Sequence, residues 1–289
     1  MGIVLGPNQY GKAENRVVRI YRDTARHEIR DLTVSTSLRG DFADAHLTGD
    51  QAHVLPTDTQ KNTAFAYAKQ HGVSSPEDYA LALGRRLLEA CPAAEEALVR
   101  VQEHSWERAP VGSDGHDHTF VRRGDGTRTA DVVVGPSTTV RSGVTDLVVL
   151  KSTGSEYRGF LVDDYTTLPE ADDRILATSL TASWLHDPVD RPDQDEKDWD
   201  ASYAAIRSLL LESFATTYSL ALQHTVHAMG RAVLEAHEDL AEVAISAPNK
   251  HHHLVDLAPF GLDNPGEVFI AADRPYGLIE ATVRRADEE

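Results

Sequence analysis

The chain has 289 residues, enough for two domains of ordinary size, and carries 46 acidic against 28 basic residues for a net charge of −18. That balance excludes nucleic acid and an anionic membrane surface as partners, because a phosphate backbone needs a clustered Lys/Arg face. An anionic substrate would have to be held by a local positive site working against the global field.

Cys91 is the single cysteine, so an internal disulfide framework and a Cys-based zinc site are excluded as well. No apolar run approaches the roughly 20 residues of a membrane span. The N-terminus lacks a basic segment followed by a long apolar core, and the tail from Arg284 to Glu289 lacks a Ser-Lys-Leu address. A cytoplasmic protein is expected.

Residues 16–24 and 27–38 alternate apolar and polar side chains with β-branched types enriched, which predicts two half-buried strands. A loop over 40–49 and a short extended piece over 52–55 follow. Thr57 and Gln60 stand at capping-box spacing, so Thr57 is expected to cap a helix running to His71, with Asp58 supporting its first turn and Gly72 ending it. The same helix start also offers unpaired N–H groups to a small anion. Ser75-Pro76 opens a second helix that runs to Cys91, with Ser75 as its cap. Three strands are expected over 97–108, 116–123 and 129–134, with Gly124-Asp125-Gly126 as a hairpin turn between the last two.

The order then repeats. Strand-like stretches cover 140–152 and 174–185. Residues 198–236 are helical in pattern, but as one helix they would span about 58 Å, so a break near Ala215-Thr216-Thr217 is expected, with Thr217 or Ser219 capping the second segment. Strands over 240–246, 268–272 and 279–284 close the chain. The pattern predicts an α+β fold of two units, residues 1–136 and 137–289, each an antiparallel sheet with helices on one face. Sheets with edges left to protect predict oligomerisation.

Gly6-x4-Gly11-Lys12 approaches a P-loop, yet Ala13 stands where a Ser/Thr would hold magnesium and a strand follows instead of a helix. Neighbouring side chains on an extended chain alternate faces, so of His251-His252-His253 only the first and third share a side; His116-Asp117-His118 has the same limit. Both groups remain open as zinc ligands in a rival reading.

Several segments together resemble the urate oxidase (uricase) family, of the bacterial type. They are Asn8-Gln9-Tyr10-Gly11-Lys12, Thr57-Asp58-Thr59-Gln60-Lys61-Asn62-Thr63, Glu103-His104-Ser105-Trp106, His116-Asp117-His118-Thr119-Phe120, Leu150-Lys151-Ser152-Thr153, Asp164-Tyr165-Thr166-Thr167-Leu168-Pro169-Glu170, Asp173-Arg174-Ile175-Leu176-Ala177-Thr178 and Pro248-Asn249-Lys250-His251. They occur in the family's order along nearly the whole chain.

The resemblance implies two tandem tunnelling-fold (T-fold) units assembled as a homotetrameric barrel. It also implies oxidation of urate by O2 to 5-hydroxyisourate and hydrogen peroxide, with no metal and no organic cofactor. Carried across by motif, Lys12, Thr57 and His251 would form a proton relay and Arg174 and Gln223 would clamp the purine. The backbone at Thr57, Asp58 and Leu222 would donate to the substrate, and Asn249 would face the oxygen or water site. Tyr157 stands at the family's stacking phenylalanine, Leu222 at a usual valine, and His252 where an aromatic residue is common. The Lys12 and Thr57 side would meet the Arg174 and Gln223 side of a neighbouring subunit. Rival readings are a zinc-dependent pterin-type T-fold enzyme using His116, His118 and one of His251 to His253, a silent purine-binding paralogue, and a P-loop nucleotidase.

Overall fold

The computed structural model describes residues 2–122, 124–187, 197–272 and 274–286. Arg123, expected to end a strand, and the tail residues Asp287 to Glu289 lie outside the described residues. Contacts divide the chain into two compact units, one of residues 1–143 and 185–203, the other of residues 144–184 and 204–289. The division at 136/137 is one of element order; the division by contacts falls elsewhere.

In the first unit β1 (Tyr10–Tyr21), β2 (Glu28–Gly40), β3 (Ala94–Glu103) and β6 (Thr127–Val134) form an antiparallel sheet in the order β1-β2-β3-β6. Helices α2 (Thr57–Gln70) and α3 (Pro76–Ala90) connect β2 to β3; α2 packs on β1, and α3 on β3 and β6. Tyr79, Ala80, Leu83 and Leu87 recur at helical spacing on the buried side of α3, against Val99, Val101 and Val132 of the sheet. Burying each large side chain stabilises the unit by about 1.5–3 kcal/mol. The Tyr79 hydroxyl donates to the Ala64 carbonyl at 2.7 Å, so the ring's one polar atom is satisfied inside the core.

The second unit has the same plan. Strands β7 (Thr139–Lys151), β8 (Leu176–His186), β9 (Leu240–Pro248) and β12 (Leu278–Arg284) follow one another across its sheet, and α4 (Trp199–Thr216) and α5 (Leu222–Ala236) connect β8 to β9. In each unit a two-stranded ribbon is inserted before the last strand: β4 (Trp106–Arg108) with β5 (Phe120–Arg122), and β10 (His251–Leu254) with β11 (Phe269–Ala272). The repeat extends to single residues. A Cβ on Gly84, ninth in α3, would meet Val134 Cγ2 at 2.7 Å, and one on Gly230, ninth in α5, would meet Val283 Cγ2 at 2.6 Å. Each glycine lets the second helix approach the last strand of its unit.

The second residue of each of these helices has a different fate. Glu77 of α3 is fully buried, accepting from Arg128 Nη2 and Ser142 Oγ, both at 2.6 Å. Burial pushes its carboxyl up in pKa, opposed by the Arg128 charge and the Ser142 hydroxyl. Gln223 of α5 is exposed.

Several sequence expectations are corrected. β1 starts at Tyr10, so the P-loop-like Gly11-Lys12 is strand; a Cβ at Gly11 would fall 1.8 Å from the Thr36 carbonyl oxygen, which explains the glycine without any phosphate. The 40–49 loop contains a short helix, α1 (Ala43–Leu47), and 52–55 is not a strand. Gly124-Asp125-Gly126 makes no hairpin, because β5 pairs with β4 while β6 pairs with β3. Ser75 does cap α3, its Oγ accepting the Asp78 N–H at 3.0 Å. α2 and α5 are different: their N-caps are Pro56 and Ala221, neither with a side-chain cap bond. Thr57 is already helical, Thr217 belongs to the loop, and the Ser219 hydroxyl instead accepts from Thr225 Oγ1 at 2.8 Å.

Candidate active site

The expected site residues fall into two groups, one in each unit. In the first, Lys12 is half-buried in β1 opposite Thr36 of β2, and Thr57 is half-buried at the first position of α2. Thr57 opens onto a cleft of about 540 Å³ lined also by Tyr10, Phe42, Val54 and Pro56. With the cap position taken by Pro56, the Thr57 side chain is not engaged in capping, and the first N–H groups of α2 lack partners within the helix. Asp58 is exposed; its carboxylate takes Lys61 Nζ and, at 2.9 Å, Asn62 Nδ2. Its pKa is held below the ordinary carboxylate value, first by Lys61 and least by the charge of Lys12.

The second group is assembled by backbone. Arg174 lies just before β8, not within a strand as the sequence pattern implied, and its N–H donates to the Ser155 carbonyl at 2.8 Å. Ser155 bridges Ser219, three residues before α5, with Glu156 N–H to Ser219 O at 2.8 Å and Ser219 N–H to Gly154 O at 2.9 Å. Tyr157 pairs with Ala171 in both directions, at 2.9 and 3.0 Å. One stitched loop thus gathers Tyr157, Arg174 and the start of α5 with Leu222 and Gln223. Leu222 is buried, so its side chain is not offered to a ligand.

The chemistry of this group is specific. The Arg174 guanidinium sits 5.0 Å from the Tyr157 ring centroid, and its Nε is buried with no hydrogen-bond partner. Burial lowers its pKa. The neighbouring carboxylates are engaged elsewhere: Asp172 pairs with Arg158 at 2.6 Å, and Asp173 accepts from Thr153 Oγ1 at 2.6 Å and from the Gly154 N–H at 2.9 Å. Arg174, Asn249 and His251 line a cleft of about 690 Å³, whose wall also includes His252, His253 and Phe269. Asn249 is fixed by its N–H to the Gly277 carbonyl at 2.8 Å and by a bridge to Thr178. His251 stacks on His253 at 5.8 Å, and its pKa is lowered by burial, by His253 and by Arg174. Tyr157, Leu222 and Gln223 are not part of that wall; they connect to it through Arg174.

Sequence reasoning did not find Phe160, which stacks on Tyr157 at 5.0 Å. The alternation of faces that puts His251 and His253 on one side is borne out by the stacking of their rings. His116 and His118 pack on each other, centroids 4.5 Å apart, and among the described residues no group of three or more His, Cys, Asp or Glu is arranged to hold a metal.

Comparison with known proteins supplies a family. The family model described as Uricase matches residues 8–133 and 140–280. A uricase of Arthrobacter globiformis is 52% identical over 284 residues, covering 98% of this chain and 90% of that protein. An Aspergillus flavus uricase is 34% identical over 289 residues, covering 96% of each. The crystal structure of uricase from Arthrobacter globiformis superimposes with a TM-score of 0.93 at 51% identity, covering 100% of this chain and 97% of that one.

Proposed function

Since the chain belongs to the uricase family, we propose that it oxidises urate with O2 and water to 5-hydroxyisourate and hydrogen peroxide, using neither metal nor organic cofactor. The observation that carries this reading is Arg174: a guanidinium over an aromatic ring, with a buried, unpartnered Nε and no carboxylate of its own. Such a group suits the edge of a planar anion, to which it can give paired N–H bonds.

In this reading urate lies on Tyr157, gripped by Arg174 and Gln223 and by the backbone at Leu222, Thr57 and Asp58. Lys12, Thr57 and His251 move its protons. A lysine next to a threonine can pass a proton through the hydroxyl, which both accepts and donates. Removing protons from urate makes the ring electron-rich enough to give two electrons to O2. Those electrons and two protons leave as hydrogen peroxide, and water delivers the hydroxyl to carbon 5. Asn249 faces the oxygen or water above the ring.

The like units support a tandem T-fold, residues 1–136 and 137–289, in a homotetramer whose sites join the Lys12 and Thr57 side of one subunit to the Arg174 and Gln223 side of another. No helix of the described residues is long and apolar enough to cross a membrane. A cytoplasmic location belongs to the same reading.

The test mixes EDTA-treated protein with urate in air. Matched loss of urate absorbance and appearance of peroxide is expected. Lys12→Met and Thr57→Ala should each lower kcat by about 10²–10⁴ while urate binding changes little; near-normal turnover in either would undo the relay. Urate binding without peroxide would point to a silent binder, and activity lost to EDTA and restored by zinc would point to the histidines.

A further inference from the structure

Gln60, the fourth residue of α2, is fully buried although glutamine is a surface residue by chemistry. A buried amide is tolerated only where its atoms find partners. Thr36 Oγ1 donates to Gln60 Oε1 at 2.8 Å, and Gln60 Nε2 donates to the Leu55 carbonyl at 3.4 Å. The other polar group of Leu55, its N–H, donates to the Tyr10 hydroxyl at 2.9 Å.

These contacts have a particular geography. Thr36 is the residue directly across from Lys12 in the β1–β2 register, so the two side chains share a face of the sheet. Tyr10 precedes Lys12 by two residues on the same strand. Leu55 precedes Thr57 by two residues, and the intervening Pro56 is fixed near φ −53°. Two side-chain struts therefore run from the level of Lys12 to Leu55, whose N–H and carbonyl are both held two residues before Thr57.

We propose that Gln60 and Tyr10 are positioning residues that fix the distance between Lys12 and Thr57. The proposal rests on the relay reading of those two residues. A proton passes between heavy atoms only at hydrogen-bond separation, and a displacement of about 1 Å in a reacting pair can lower a rate about 10²-fold. A shift of that size at Thr57 would leave the Arg174 and Gln223 clamp untouched and move only the backbone contact at Thr57 and Asp58, so the loss falls mainly in kcat and by a smaller factor in KM.

The experiment is a double-mutant cycle on the full-length enzyme. Thr36→Val with Gln60→Met replaces both members of the buried Thr36–Gln60 pair by apolar groups of similar shape, leaving unmade only the 3.4 Å bond to the Leu55 carbonyl, so the cost in stability is small. Tyr10→Phe removes only the second strut and serves as an independent arm should the first variant fold poorly. Each is measured alone and in a Thr57→Ala background, with urate turnover and Tm. We expect kcat to fall about 10- to 100-fold with KM changed by a clearly smaller factor, and no further loss of kcat when either change is added to Thr57→Ala, because residues acting through one group are not additive. Unchanged kcat in both arms, or an equal loss in both backgrounds, would overturn the positioning role and leave a merely structural one. Near-wild-type turnover in Thr57→Ala by itself would overturn the relay reading, and the positioning role with it, and is told apart by needing only that one variant.

Discussion

Arg174 and His251 face one cleft, and the Arg174 charge is one of three causes that lower the His251 pKa, after burial and His253. A histidine with a lowered folded-state pKa stays neutral further into acid than a free imidazole, whose value is about 6.5. In the proposed relay the acid limb of the kcat profile belongs to His251 and should therefore lie below that ordinary value. His253→Leu removes one of the three causes and is expected to shift the limb toward neutrality. Proton NMR titration of the His251 ring in the two proteins checks the assignment directly; a limb that does not move with the ring's titration would separate His251 from catalysis.

At the scale of elements, the two inner glycines carry the clearest prediction. Gly84→Ala and Gly230→Ala each bring a methyl within 3 Å of a valine methyl on the last strand of the unit, and overpacking of this kind costs about 1–3 kcal/mol. Pairing each with the matching Val134→Ala or Val283→Ala should recover part of the loss in a thermal melt, because the clash is then relieved locally.

Elements built on periodicity were legible in the sequence: α3 with its Ser75 cap, the break between α4 and α5, and the repeated order of strands. The misreadings came where tertiary contact overrode a local rule. Thr57 and Gln60 have capping-box spacing, yet Pro56 takes the cap and Gln60 turns inward to Thr36, a bond 24 residues away in sequence. Gly124-Asp125-Gly126 satisfies hairpin chemistry, but the flanking strands have better partners in β3 and β4. Of the candidate site, motif resemblance pointed to Arg174 and Asn249. Their setting could not be read, because the Ser155–Ser219 bridge that gathers Tyr157, Arg174 and α5 joins residues 64 positions apart through backbone atoms that carry no sequence signal.

At the scale of the whole molecule, the proposed site needs a unit from each of two subunits. Thr57→Ala and Arg174→Ala proteins, each inactive alone, should regain turnover when unfolded together and reassembled, since a hybrid holds one site with both native residues. No recovery, with mixed oligomers demonstrated by mass spectrometry, would place the two groups in one subunit's site or in none.

Glu77 and Gln223 stand at the same step of the same helix in two like halves, one sealed beneath Arg128 and one open to solvent. A duplicated module gives a protein two copies of every position and so two opportunities to specialise. Here one copy is sealed into the core, and in the proposed reading the other grips the substrate. The half whose helix start is walled in by its own ion pair is closed to a guest there, so the occupancy of this enzyme should count chains, not modules: one purine for every two units of the repeat.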